Sequence, residues 1–253
     1  MENKKIGIFD SGIGGLSVLI ELLKILPNED YLFYEDSINN PYGEKTEEKL
    51  FDITSNIVDY LIENDCKIIV IACNTATTSC MKKLREKYSD VIFIGTVPAI
   101  KVAYDNDYKN TILLATPYTV KSTRVEELIR DYKDDDQNIY LVSGENLANL
   151  IDNDDKDGID LLLEKILLPY KNKADSIVLG CTHYPLIKDS IKKILPTCEI
   201  LDGSVGVAKE VLHQLELNNI KSDSTESGNI IIKNTKSDEL ITRSYEILED
   251  MLK

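Results

Sequence analysis

Tryptophan is absent from the 253-residue chain, and histidine occurs only twice, at His183 and His213. So few imidazoles exclude a histidine-rich metal centre, and no further ligand stands at zinc spacing from His183, so no metal is expected. The five cysteines are an odd number and contain no Cys-x-x-Cys. Met1-Glu2-Asn3-Lys4-Lys5 runs straight into the strand-like Ile6-Gly7-Ile8-Phe9, without the apolar block and cleavage site of a signal peptide. Free thiols and a cytoplasmic location are therefore expected, rather than a disulfide framework. An apolar stretch long enough to cross a bilayer is also missing, so no membrane partner is expected. Basic residues are scarce: Lys+Arg number 29 against 44 Asp+Glu, a net charge of −15. This argues against a nucleic-acid partner, because phosphate neutralisation requires clustered cations. A small anionic substrate stays open, since backbone N–H groups can hold a carboxylate inside an acidic protein.

What is present is ordinary for a soluble globular chain, with 43% hydrophobic and 29% charged residues, and the length suits one large or two small domains. Short apolar runs alternate with helical periodicity almost throughout. Strands are predicted at 5–9, 30–34, 68–72, 91–95, 110–115, 138–142, 176–179, 199–201 and 229–232. Helices are predicted at 15–26, 46–64, 75–87, 119–131, 158–170, 185–195, 205–217 and 237–252. This rhythm predicts an α/β protein with mainly parallel sheets flanked by helices. Nine strands fit two smaller sheets better than one. A strand ends at Gly95-Thr96-Val97-Pro98, and a second crossing is expected near Asp202-Gly203-Ser204. The domains are then 1–95 plus 206–253, and 96–205. Asn218 to Gly228 reads as an exposed loop, and Asp131 to Asn138 and Asp152 to Gly158 as solvated acidic turns.

Two strand-ending cysteines carry the most chemical information. Cys73 closes Ile68-Ile69-Val70-Ile71-Ala72, and Cys181 closes Ile177-Val178-Leu179-Gly180; each is followed by polar residues and a helical pattern. A thiol there lies at the carboxyl end of a parallel strand, where open α/β sheets bind ligands, and a helix N-terminus behind it favours the thiolate. One such thiol would suggest a nucleophile; two, on separate βα units, suggest a pair of bases. A redox or zinc pair would place its cysteines close in sequence, and 181 − 73 = 108 residues separate these. Asn74-Thr75 and Thr182 have a plain reading as helix caps, but the repeated cysteine-then-polar pattern raises them above it. His183, two residues past Cys181, suits thiol activation better than zinc. His213 reads as a packed or surface helix residue. Cys66 (before the buried strand), Cys80 and Cys198 (without polar company) read as small buried hydrophobes.

Asp10-Ser11-Gly12-Ile13-Gly14-Gly15-Leu16-Ser17 forms the first strand-to-helix turn. A dinucleotide fingerprint nearly fits from Gly12, with Asp36 as its ribose ligand. Ser17, however, occupies the third glycine's place, and Asp10 would repel a pyrophosphate. Asp10 suits an ammonium group or a base that must be oriented. Asp36 to Gly43 is a polar loop after the second strand, in which Pro41 and Gly43 set a turn and Tyr42 supplies ring and backbone surface.

Four segments in this order, Asp10-Ser11-Gly12-x-Gly14-Gly15, Pro41-Tyr42-Gly43, Ala72-Cys73-Asn74-Thr75 and Leu179-Gly180-Cys181-Thr182-His183-Tyr184-Pro185, resemble the cofactor-independent glutamate racemases of the aspartate/glutamate racemase family. The resemblance spans most of the chain. It implies two similar α/β domains related by a pseudo-twofold, with the active site between them. It implies Cys73 and Cys181 as the two bases, with Asp10 helping the first and His183 the second. Asp10, Ser11, Pro41, Tyr42, Gly43, Asn74, Thr75, Thr116, Thr119, Thr182 and His183 would hold the substrate. Glutamate is the implied substrate, no metal or cofactor is implied, D-glutamate for peptidoglycan the product, and a homodimer the assembly. The chain departs from the family pattern twice. Ala115-Thr116-Pro117-Tyr118-Thr119-Val120-Lys121-Ser122 begins with alanine where glycine is usual. Val142-Ser143-Gly144-Glu145-Asn146, leading to Leu150-Ile151-Asp152, replaces a usual Cys-Pro segment, so that either Asp152 or Glu145 stands in for a usual acid. The same scaffold could serve aspartate or another amino acid, or a small-molecule-binding regulator without turnover; loss of one cysteine would mark the latter, and both are present.

Overall fold

The structure, a computed structural model, describes residues 4–132 and 136–253. Met1–Asn3 of the N-terminal reading, and 133–135 of the acidic turn at 131–138, lie outside the described residues. In chain order the elements are β1 (Lys5–Asp10), α1 (Leu16–Ile25), β2 (Tyr31–Glu35), α2 (Glu47–Glu63), β3 (Cys66–Ile71), α3 (Asn74–Lys87), β4 (Phe93–Gly95), α4 (Ile100–Asp105), β5 (Asn110–Ala115) and α5 (Pro117–Val120). They continue with α6 (Thr123–Tyr132), β6 (Asn138–Ser143), α7 (Leu147–Asp152), α8 (Lys156–Leu167), β7 (Ser176–Gly180), α9 (Lys188–Ile194), β8 (Glu199–Asp202), α10 (Ser204–Leu217), β9 (Ile230–Asn234) and α11 (Asp238–Met251). The chain divides into two compact units. One runs to Thr96 and resumes at Ser204–Lys253; the other is Val97–Gly203.

The first unit is built on a parallel sheet in the order β4-β3-β1-β2-β9. Its central strands are β-branched runs whose side chains alternate between faces. Ile69 and Ile71 join Phe9 and Leu32 in a core with Ile53, Ile57, Val58 and Leu61 of α2 and Ala76, Cys80 and Leu84 of α3. Ile6, Ile8, Ile68 and Val70 alternate with them along the strands and are equally buried. Burial on both faces is what a parallel sheet requires, and each such isoleucine contributes roughly 1.5–3 kcal/mol. α1 packs on α10 and α11, and α2 on α3. The second unit is a parallel sheet in the order β6-β5-β7-β8. Leu113, Ala115 and Val178 meet Ile100, Ala103 and Tyr104 of α4 and Val125 and Leu128 of α6.

Several boundaries differ from the sequence expectation, each for a local reason. The helix expected at 119–131 is two, because Ser122 breaks the run: its Oγ donates to Thr119 O (2.7 Å) and accepts from Val125 N (3.3 Å), starting α6 afresh. The helix expected at 158–170 starts earlier, at Lys156, because the Asp155 carboxylate caps it through Gly158 N (3.0 Å). The one expected at 185–195 opens as a 3-10 turn over Tyr184–Ile187. α4 and α7 were not expected; each is only six residues, too short for periodicity to register. Cys66 does not precede β3 but opens it. Among the described residues no helix is long and apolar enough to cross a membrane.

At the amino ends of the strands, Lys67 Nζ lies 2.6 Å from Glu29 Oε2, with side chains 8% and 2% exposed. Glu29 Oε1 also accepts from Ser222 N (2.7 Å), tying the 218–228 loop to the sheet. A lone buried carboxylate is costly, so Lys67→Met should lower unfolding free energy by about 3–5 kcal/mol in urea titrations. Adding Glu29→Gln should recover much of that loss; a double variant as unstable as the single one would show that the charge pairing contributes little.

Candidate active site

In each unit the candidate site residues lie at or just past the carboxyl-terminal ends of the strands. In the first unit β1 lies between β2 and β3, so three strand ends converge. β1 ends in Asp10, fully buried, whose Oδ1 accepts from Ser11 N (2.9 Å). Gly15 allows the following turn to close: a Cβ there would come within 2.8 Å of Asp10 Cβ and 2.7 Å of the Phe33 ring. Cys73, 6% exposed, follows β3 as the N-cap residue of α3, without a side-chain capping bond. The positive end of the α3 dipole therefore lies at the thiol and favours negative charge there. Asn74 and Thr75 form the buried first turn behind it, and Asn74 Nδ2 donates to Thr96 O (3.4 Å).

Tyr42 completes this group. Its hydroxyl, 2% exposed as a residue, donates to Asp36 Oδ2 (2.8 Å). Burial first, and then the negative neighbours Asp36, Cys73 and Asp10, hold the phenol well above its usual pKa. Tyr42 thus stays a neutral donor close to Cys73 and Asp10. Asp36 is itself raised above the usual carboxyl range by burial, against the bonds from Tyr42, Asn39 and Thr235. With its carboxylate engaged by Tyr42, Asn39 Nδ2 and Thr235 Oγ1, Asp36 is a structural anchor rather than a ribose ligand. Pro41, after a cis peptide bond, and the exposed Gly43 flank Tyr42.

In the second unit β5 and β7 are neighbours, and Ala115 pairs with Gly180 at their ends. A Cβ on Gly180 would stand 2.7 Å from Ala115 Cβ, so one of the two positions must lack a side chain. Gly180 fills that need, which accounts for the alanine opening the 115–122 segment. Beyond β5, Thr116 Oγ1 accepts from Thr119 N (3.3 Å) and donates to Thr119 Oγ1 (3.0 Å), capping α5. Beyond β7, Cys181 (8% exposed), Thr182 (5%), His183 (1%) and Tyr184 (0%) follow in sequence. Cys181 Sγ lies 3.8 Å from His183 Nδ1, and His183 Nε2 lies 3.0 Å from Asp152 Oδ1. Tyr184 OH donates to Gly144 O (3.2 Å), holding the loop that leads into α7 and Asp152.

Burial disfavours the imidazolium of His183, but the Asp152 carboxylate and then Cys181 outweigh it and hold the pKa well above the ordinary histidine value. With both ring nitrogens protonated, Nε2–H donates to Asp152 and Nδ1–H points to the sulfur, an arrangement that steadies a thiolate. The acidic residue beside His183 is Asp152; Glu145 is exposed and takes no part. This corrects the reading of 152–158 as a purely solvated turn: Asp152 ends α7 and Asp155 caps α8, while the neighbours between them are exposed. His213 is exposed on α10. Burial pushes Cys66 and Cys198 up to about 12 and Cys80 up to about 11, so these three stay thiols. None of the five cysteines is in a disulfide. Among the described residues no cluster of three His, Cys, Asp or Glu side chains could hold a metal ion.

The sequence reading missed the Asp36–Tyr42 bond and the Tyr184–Gly144 bond. The first could have been sought as a carboxylate six residues before a turn tyrosine; the second, spanning 40 residues, has no local signal.

Residues 30–210 match the model of the Asp/Glu/Hydantoin racemase family. The chain belongs to this family. It is 41% identical over 246 residues to a glutamate racemase of Clostridium perfringens, covering 95% of this chain and 94% of that one. Its fold matches glutamate racemase isoform RacE1 of Bacillus anthracis at a TM-score of 0.85, with 28% identity, over 100% of this chain and 95% of that one. It also matches Escherichia coli glutamate racemase, solved in complex with L-glutamate and the activator UDP-MurNAc-ala, at a TM-score of 0.83 and 30% identity, over 97% and 95% of the two chains.

The His183–Asp152 pair has a measurable thermodynamic signature. Because folding raises the His183 pKa, its contribution to stability is fully present below the unfolded value of about 6.5 and is lost as pH rises through the folded value. Asp152→Asn should remove that contribution. The stability gap between wild type and Asp152→Asn in urea titrations should therefore be widest at acid pH and shrink on the alkaline side. A gap independent of pH would mean that Asp152 does not hold the imidazolium.

Proposed function

We propose that this protein is a cofactor-independent glutamate racemase that interconverts L- and D-glutamate through two bases, Cys73 and Cys181. The observation that carries the reading is that each thiol ends a parallel strand in a site built to exchange a proton: Cys73 at the start of α3 beside Asp10 and Tyr42, and Cys181 in a chain of contacts with His183 and Asp152. High identity to a protein named glutamate racemase, over nearly the whole of both chains, supplies the substrate.

Racemisation removes the α-proton from one face and returns a proton to the other, so the two sulfurs must flank one α-carbon. A free cysteine titrates at about 8.5, near enough to neutrality for thiol and thiolate both to serve. Two thiolates facing one carbon would repel, so the working state is one thiolate and one thiol. The Cys73 thiolate takes the α-proton of D-glutamate, and the Cys181 thiol gives its proton to the opposite face. L-glutamate runs the reverse course. Asp10 assists proton exchange at Cys73, and His183, oriented by Asp152, at Cys181. Exclusion of water and fixed hydrogen-bond donors stabilise the carbanion-like transition state. Ser11, Gly43, Asn74, Thr75, Thr116, Thr119 and Thr182 hold the substrate's carboxylates and ammonium. The product is D-glutamate for peptidoglycan, and hence for cell shape, made in the cytoplasm by a homodimer.

Chiral analysis of L-glutamate, D-glutamate and L-aspartate incubated with pure protein and no added cofactor tests the activity. Turnover of aspartate alone would reassign the substrate, and turnover only after addition of pyridoxal phosphate would reject the two-thiol chemistry. Cys73→Ser and Cys181→Ser should each lower kcat by about 10²–10⁴-fold, since a hydroxyl is a much weaker acid. Asp10→Asn and His183→Asn should act on opposite steps. The two enantiomers have equal free energy, so kcat/KM must fall equally in both directions for any variant. The asymmetry is therefore read in primary isotope effects with α-deuterated substrates. Asp10→Asn should raise the effect from D-glutamate, and His183→Asn that from L-glutamate. Equal isotope effects in both variants would remove the assignment of one helper to each thiol.

A further inference from the structure

The end of β9 touches four consecutive residues of the segment that leads to Tyr42. Asn234 Nδ2 donates to Glu35 Oε2 (2.8 Å) and to Ser37 Oγ (2.9 Å). Thr235 N donates to Glu35 O (3.0 Å), and Thr235 Oγ1 donates to Asp36 Oδ1 (3.3 Å) while accepting from Ile38 N (3.0 Å). Ser244 of α11 braces the same point, donating from Oγ to Glu35 Oε1 (2.7 Å). Glu35 and Ser244 are fully buried, Asp36 is 2% exposed and Asn234 7%. Asp36 then passes the constraint on, since its other oxygen takes the Tyr42 hydroxyl. An edge strand could be held by its ladder alone, as β9 is along β2. The side-chain bonds go further, reaching beyond the last paired residue into the loop.

We propose that Asn234 and Thr235, braced by Ser244, are positioning residues for the substrate loop at 41–43, acting through Asp36 on Tyr42. All three lie outside the 30–210 segment that matches the family model. Hydrogen bonds to a carboxylate are directional, so the part-buried bond from Thr235, on a strand end anchored by the buried bonds to Glu35, fixes where the Asp36 oxygens point and therefore where Tyr42 stands. A loop held in its binding geometry before substrate arrives lowers the ordering cost of binding. Such a contribution acts alike on bound substrate and transition state, so its loss appears in KM rather than kcat.

The inference rests on the racemase reading, and the experiment separates the two. Thr235→Val keeps the side-chain shape but removes the hydroxyl that serves Asp36 and Ile38. KM for each glutamate enantiomer should rise about tenfold with kcat within about twofold. Thr235→Ser should restore KM. In the free protein, amide exchange at 37–43 should quicken about tenfold in Thr235→Val and not in Thr235→Ser. Wild-type KM and wild-type exchange in Thr235→Val would overturn the inference. So would kcat and KM worsening together in step with lost stability, with Thr235→Ser no better. If the wild-type protein racemises no glutamate, the functional reading fails, and the exchange measurement alone then decides whether the end of β9 positions the loop.

Discussion

The arrangement depends on one constraint: within each sheet, every described strand runs the same way. Parallel strands buried on both faces leave their chain no place for polar chemistry except the ends, and the carboxyl ends lead into helix N-termini. Asp10, Asp36, Cys73 and Cys181 are all residues at or just past such ends. Apolar strands supply rigidity at low chemical cost, so the polar residues concentrate where the backbone turns. This is why an acidic protein, with a net charge of −15, can still offer local sites that favour an anion. Helix dipoles and amides act over a few ångströms, while the net charge is spread over a screened surface.

The two thiols are supported by different physics. Cys73 has a long helix starting at its own position, a buried carboxyl at Asp10, and a tyrosine kept neutral by burial and by negative neighbours. Cys181 is followed by a short 3-10 turn, so the helix contributes less, and an imidazolium held by Asp152 takes its place. Both arrangements place positive potential or a donor beside sulfur, which is the common requirement for a thiol that must gain and lose a proton. At the other three cysteines burial outweighs the nearby lysines and, at Cys80, the Thr54 hydrogen bond, and leaves them protonated.

Much of this was legible in the sequence because the signals are local. β-branched runs of four to six residues, the glycines after Asp10, and the repeated pattern of strand, cysteine and polar residues each lie within about ten consecutive positions. The misreadings have a common origin. α4 and α7 are six residues each, too short for the helical period to emerge. The break between α5 and α6 depends on one serine hydroxyl choosing a backbone partner, a choice that composition does not reveal.

The sequence by itself determined the α/β class, the two thiols and their polar neighbours, because alternation and turn chemistry are properties of short segments. Tertiary structure alone decided which acid serves His183. Glu145 and Asp152 were equal candidates along the chain, and the path of α7 brings Asp152, 31 positions away, to the imidazole. It alone joined Asn234 and Thr235 to a loop about 200 residues earlier. Contacts at that separation are set by strand order and register. These follow from how whole faces of side chains are buried together, and no local stretch of sequence contains that information.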